Sequence, residues 1–239
     1  MPFNFKILYL LGMVSTFSLA QELPENFVLI KDFVPSISVE IRYGTNNNFT
    51  GKPIPGYESR QAVITITTAS ALKKVQKELN KLGLGLKIFD AYRPQKAVDY
   101  FIKWSDQPSD TIMKNKYYPN LKKENLFDLG YIALKSGHTR GSTVDVTLLY
   151  VSGPKKGKEV DMGSVWDLLG VSSGYAYEAI SNSQKANRKL LRELMITHEF
   201  LPYDKEWWHF SLNNEPYPDT YFDFIVPKKN LITEIISMI

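Results

Sequence analysis

The sequence predicts one α+β domain, a central antiparallel sheet with flanking helices. Strand-like runs follow one another with helices inserted, without the regular alternation that builds a parallel sheet. The chain has 239 residues, 44% of them hydrophobic and 13% aromatic, enough for one sizeable core. No internal repeat or low-complexity stretch divides it.

The elements follow in order. Lys6 precedes an apolar run from Ile7 to about Ala20, and Ser18-Leu19-Ala20 fits a small-x-small cleavage site. This pattern predicts a signal peptide over 1–20 and a mature domain over 21–239. A buried N-terminal helix or strand is the competing reading of the same run. The run is short for a bilayer span, and no later segment matches its apolarity. The mature protein is therefore expected to be exported, periplasmic or secreted, with no stable membrane insertion.

Phe27–Ile30 and Ile37–Tyr43 read as strands, the second alternating with a period of two. Asn46–Gly51 is turn chemistry. Ala69 to about Leu82 reads as a helix with Leu72, Val75, Leu79 and Leu82 on its buried stripe, and Gly83 as its stop. Leu84–Asp90 reads as a strand. Pro94 opens a further helix carrying Ala97, Val98, Tyr100 and Phe101.

Residues 106–135 read as a loop with short helical pieces near a site entrance. Val144–Val151 reads as a strand. Ser183–His198 is the clearest helix, with Ala186, Leu190, Leu191, Leu194 and Met195 facing inward. Glu206–Leu212 reads as an aromatic-rich strand, and the segment after Pro227 as a short helix.

Charge excludes some functions. The formal net charge is +4 at pH 7, and loss of Lys6 with the leader lowers it by one. That mild balance, without long Lys/Arg blocks, predicts no nucleic-acid partner. Cys 0 in an exported chain means no disulfides and no lipid-anchoring cysteine.

Two stretches carry the chemistry. One is Ser136-Gly137-His138-Thr139-Arg140-Gly141-Ser142-Thr143-Val144-Asp145, the other Glu206-Trp207-Trp208-His209. Two imidazoles and a carboxylate suit a catalytic zinc whose fourth position takes water. His138, Asp145 and His209 are the candidate ligands for one Zn2+ per chain, on the sheet face. The odd spacing of His138 and Asp145 would put them on opposite faces of one continuous strand. His138 is therefore expected in the loop and Asp145 on the strand. His209 is expected to point inward, with Glu206 at the strand mouth. A zinc ion with a single carboxylate ligand stays net positive and lowers the pKa of water. Glu206 would accept that proton and pass it to the leaving amine. The bland alternative has both histidines satisfying ordinary hydrogen bonds. His198, at a helix C-terminus, reads as a cap.

These residues resemble the zinc D-Ala-D-Ala dipeptidases, the exported and vancomycin-resistance-associated group of D-alanyl-D-alanine metallopeptidases. The pattern Ser-x-His-x-x-Gly-x-(small)-x-Asp is met by Ser136, His138, Gly141, Thr143 and Asp145, and Glu-x-x-His by Glu206 and His209. Asp90–Pro94, Asp161–Asp167 and Tyr217–Phe224 agree as flanks. The resemblance implies that Arg93 stabilises the oxyanion, that Asp167 binds the substrate ammonium and that Ser136 binds its carboxylate. Taken alone, Arg93 is equally a salt-bridge arginine and Asp167 a helix N-cap. Thr143 stands where alanine is frequent and needs a hydroxyl partner. Trp166 stands where phenylalanine is frequent and is expected to narrow or reshape the pocket.

The resemblance implies hydrolysis of D-Ala-D-Ala to free D-alanine, with the small dipeptide as substrate. The oligomeric state is left open. Two other readings fit the motifs: a D,D- or L,D-carboxypeptidase trimming peptidoglycan stem peptides, and a zinc-stabilised wall-binding module. Glu206 argues against the module, because a structural metal needs no poised base.

Overall fold

The computed structural model describes residues 22–228. The leader over 1–20 and the tail helix fall outside the described residues. No described helix is long and apolar enough to cross a membrane.

Strand β1 (Phe27–Leu29) runs into a one-turn helix α1 (Ile30–Phe33), and β2 (Ser38–Val39) follows. Next come β3 (Val63–Thr65), α2 (Ile66–Lys81), β4 (Leu84–Asp90), α3 (Gln95–Ser105) and the short α4 (Lys114–Tyr117). The chain ends with β5 (Thr143–Tyr150), α5 (Asn182–Thr197), β6 (Phe200–Tyr203) and β7 (Glu206–Leu212). β1 and β3 pair as a small antiparallel sheet, and the main sheet has the order β2-β4-β5-β7-β6. Its pairs β4–β5, β5–β7 and β7–β6 are antiparallel, but β2 lies parallel to β4, so the sheet is mixed.

Most expected elements are present, and the departures have local causes. The strand expected over Ile37–Tyr43 pairs only at Ser38 and Val39. The chain then turns into a 3-10 turn at Arg42–Gly44, burying Tyr43 by a different route. Leu82 is 58% exposed, because it caps α2 rather than belonging to its stripe. Gly83 stops the helix at φ +70, a conformation open to glycine. Pro94 caps α3 from outside, and Gln95 is its first helical residue. On α5, Leu191 and Met195 are buried, whereas Ala186 is exposed. Arg188, a charge, is buried in place of an apolar residue. A capping box at Ser181 and Gln184 starts this helix.

The core layer beneath α2 and α5 lies on one face of the main sheet, and the pleat decides which side chains reach it. Val144, Val146 and Leu148 of β5 are fully buried on that face, with α2 packed against β4 and α5 against β6 and β7. Thr143, Asp145 and Thr147 alternate onto the opposite face. A bulge in β4 extends this second set. Ile88 pairs with Val146, yet Asp90 pairs with Asp145. The extra residue, Phe89, turns Asp90 from the core face to the face of Asp145.

Candidate active site

Three expected ligands meet on that second face. Asp145 and His209 are direct cross-strand partners, so their side chains rise side by side. His138 comes from the 3-10 turn Gly137–Arg140 ahead of β5. Gly141 ends the turn at φ +79, and a Cβ there would lie 2.3 Å from the Phe27 ring. Only glycine meets both demands.

His138 Nε2 is 3.3 Å from His209 Nδ1 and 3.2 Å from Asp145 Oδ1. His209 Nδ1 is also 3.2 Å from Asp145 Oδ1. A tetrahedral cation with bonds of about 2.0–2.1 Å spaces its ligands about 3.3–3.4 Å apart. The triangle therefore has the dimensions such a cation needs. Its chemistry fits as well. Asp145 Oδ1 is buried without a hydrogen-bond partner. A proton shared between the imidazoles would satisfy one edge at a time, whereas a cation satisfies all three. The His138 Nδ1–H donates to the Ala91 carbonyl at 2.8 Å, a tautomer that leaves Nε2 as the ligand atom. Burial alone would raise the Asp145 carboxyl, but the two imidazoles hold it well below the usual carboxylate range.

Glu206 stands at the mouth, as its place at the start of β7 predicts. Its Oε2 is 3.5 Å from His209 Nδ1. Burial pushes its carboxyl up to about 7, with His209 pulling it down and Asp145 pushing it up. A carboxyl so poised can both take and return a proton near neutral pH.

Arg93 faces the same cleft and is paired as well. Its Nε and Nη2 donate to Asp90 Oδ2 at 3.0 and 2.8 Å, and the Tyr43 and Phe101 rings flank its guanidinium. Asp90 Oδ1 accepts from the Tyr57 hydroxyl at 2.7 Å and from the Ala91 N–H at 2.9 Å. The salt bridge thus braces the arginine.

Asp167 is buried at φ +67, rare for a residue with a Cβ. Oδ1 accepts from the Tyr43 hydroxyl at 3.0 Å, and Oδ2 is buried without a partner. Burial, then the charges of Asp145 and Glu206, pushes its carboxyl well above the usual range. An N-cap role does not apply, since no α-helix starts at Leu168. Ser136 caps the His138 turn by accepting from the His138 N–H at 3.3 Å, which leaves its O–H able to donate.

Thr143 finds its partner in Ser211, 2.7 Å away across the strands. Trp166 does not narrow the cleft. It is buried behind Asp145, and its indole Nε1 donates to Asp145 Oδ2 at 3.2 Å. His198 stands at the C-cap of α5 and reaches Glu78 at 2.9 Å, away from the triad. Two contributors escape sequence reasoning. Tyr43 gives no signal apart from its alternating run, and Asp90 is legible only as part of the Asp90–Pro94 stretch.

The triad, Glu206, Arg93, Asp167 and Ser136 border one cleft of about 320 Å³, also lined by Tyr131 and Tyr203. That is near the lower end for small-molecule sites, about 300–1,000 Å³.

Comparison with known proteins gives the family. The family model described as D-ala-D-ala dipeptidase, peptidase M15, matches residues 24–227. A D-alanyl-D-alanine dipeptidase of Enterococcus faecalis is 42% identical over 200 residues, covering 84% of this chain and 98% of the relative. That of Streptomyces coelicolor is 42% identical over 199 residues, covering 83% and 97%. The Escherichia coli D-alanyl-D-alanine dipeptidase is 28% identical over 197 residues, covering 81% and 90%.

Proposed function

The chain belongs to the D-Ala-D-Ala dipeptidase family, and on that premise we propose that it is a zinc-dependent enzyme hydrolysing the free dipeptide to D-alanine. The observation that carries the metal is the triangle of His138 Nε2, Asp145 Oδ1 and His209 Nδ1, with sides of 3.2–3.3 Å. Two imidazoles and one carboxylate favour zinc over the harder, oxygen-preferring cations. When bound there, zinc supplies Lewis acidity, making water a better nucleophile and the scissile carbonyl a better electrophile.

The chain's own residues do the rest. Glu206 takes the proton of the attacking water and returns it to the leaving amine nitrogen as the C–N bond breaks. Arg93, held by Asp90, sets a fixed positive charge where the carbonyl oxygen becomes negative. Such a preset charge favours the transition state over the ground state. Asp167 Oδ2 offers a buried acceptor to the substrate ammonium. The cation regains for that oxygen what burial removed, so binding and ionisation of Asp167 reinforce each other. Ser136 donates to the substrate carboxylate at the other end. Recognition of both charged termini restricts the substrate to a dipeptide.

The test is release of D-alanine from D-Ala-D-Ala by the purified mature chain, together with metal analysis. About one zinc per chain, activity lost on chelation, and no cleavage of N-acetylated tri- or pentapeptides are expected. Cleavage of the acetylated peptides but not the free dipeptide would replace this reading with a carboxypeptidase. The leader pattern supports an exported enzyme that salvages wall-derived dipeptide, and blotting of periplasmic and cytoplasmic fractions tests that.

A further inference from the structure

The two oxygens of Asp145 have different surroundings. Oδ1 belongs to the ligand triangle and has no hydrogen-bond partner. Oδ2 accepts one hydrogen bond among the described residues, from the Trp166 indole at 3.2 Å. That indole has no freedom to leave. Trp166 is 2% exposed, with the Tyr43 ring 5.1 Å away at 60° and the Phe89 ring 5.3 Å away at 35°. The Arg42 guanidinium covers it at 5.8 Å. An indole N–H is a donor only, so it cannot compete for a cation.

We propose that Trp166 is a positioning residue for the metal-binding carboxylate, its N–H restricting Asp145 to ligation through Oδ1 alone. This rests on the reading of His138, Asp145 and His209 as the metal site. A carboxylate free at both oxygens can chelate, rotating Oδ2 into a position that water and substrate need. A fixed donor on Oδ2 opposes that rotation. It also supplies the partner a ligating carboxylate needs on its outer oxygen to stay oriented. Phenylalanine at this position fills similar space but offers no donor. The chain then turns at Asp167 with φ +67, so consecutive residues serve the metal ligand and the cleft.

The test compares Trp166→Phe with Trp104→Phe. Trp104 is equally buried, but its indole nitrogen has no partner, so its replacement reports packing alone. Zn2+ affinity is measured by competition with a chromophoric chelator, and the oxygen ligands of the zinc-loaded proteins are counted by X-ray absorption. Trp166→Phe should bind Zn2+ about 10–100-fold more weakly and show an added oxygen in the first shell, with Trp104→Phe like the parent. Site-specific benzothienylalanine at 166 keeps the bicyclic shape without the N–H, and should reproduce the loss even where the phenylalanine variant folds poorly. Unchanged affinity and oxygen count in the benzothienyl protein, or an equal loss in Trp104→Phe, overturns the proposal and leaves the metal site standing. Failure of the parent to bind Zn2+ overturns both.

Discussion

The cleft has two walls built on different principles. The sheet wall carries Asp145 and His209 on paired strands, and its geometry is set by backbone hydrogen bonds and the pleat. The loop wall, residues 161–174, lines the cleft with Asp167 and Leu169, places Trp166 behind Asp145 and is held largely by side chains from elsewhere. Arg188 on α5 donates to the carbonyls of Met162 at 2.6 Å, Gly174 at 2.7 Å and Ser172 at 2.9 Å. Gln184 and Asn187 anchor Asp161 at 2.8 Å each, and the Trp207 indole holds Ser164 Oγ at 2.9 Å. The backbone ladder sets where Asp145 and His209 stand on their strands, independently of most neighbouring side chains. The loop wall depends on individual side chains, so one substitution can release it. That division suits the chemistry. The proposed metal site needs fixed atoms, while Asp167, the proposed acceptor for the substrate ammonium, sits on the wall that substitution alters most easily.

Four changes would break or sharpen this contrast, the largest first. Glu206→Ala should lower kcat by about 10²–10⁴-fold and leave zinc content unchanged by metal analysis. Loss of the metal along with activity would mean that the mouth of the sheet wall, not the base, had been damaged. Asp167→Asn removes from the loop wall the carboxyl that would ionise against the substrate ammonium. It should weaken the free dipeptide by about 10–100-fold in kcat/KM, the range for a hydrogen bond to a charged group, with Zn2+ affinity as in the parent. An equal fall in Zn2+ affinity would show that the walls are not separable. Arg188→Met leaves three carbonyls without their donor. It should destabilise the protein by about 2–4 kcal/mol, and limited proteolysis should cut first within 161–174 rather than in β5 or β7. The smallest effect is a titration. In metal-free protein, carbon-13 NMR should show the Glu206 carboxyl with a midpoint raised by burial to about 7. Adding Zn2+ should move that midpoint down, because a nearby cation favours the carboxylate. No movement would place the cation elsewhere.

The sequence by itself determined the parts that depend on local periodicity and spacing. α2 and α5 follow from a repeat of 3.6, with Gly83 stopping α2, and β4 and β7 follow from short apolar or aromatic runs. The ligand set was legible because spacing forbids His138 and Asp145 on one strand face, and the 3-10 turn before β5 resolves that conflict. Tertiary structure decided what local pattern cannot encode. The β4 bulge that brings Asp90 opposite Asp145 depends on register with β5. The parallel place of β2 depends on where the chain can pair after α1. Arg188 reads in sequence as one more charge on a helix, and only the loop folded over α5 supplies the carbonyls that let it be buried. Trp166 reads as an aromatic beside an aspartate, and only packing between Tyr43 and Phe89 aims its N–H at Asp145. Hydrogen bonds between residues far apart in sequence leave no periodic trace, so the supports of the site appear only when the chain closes on itself.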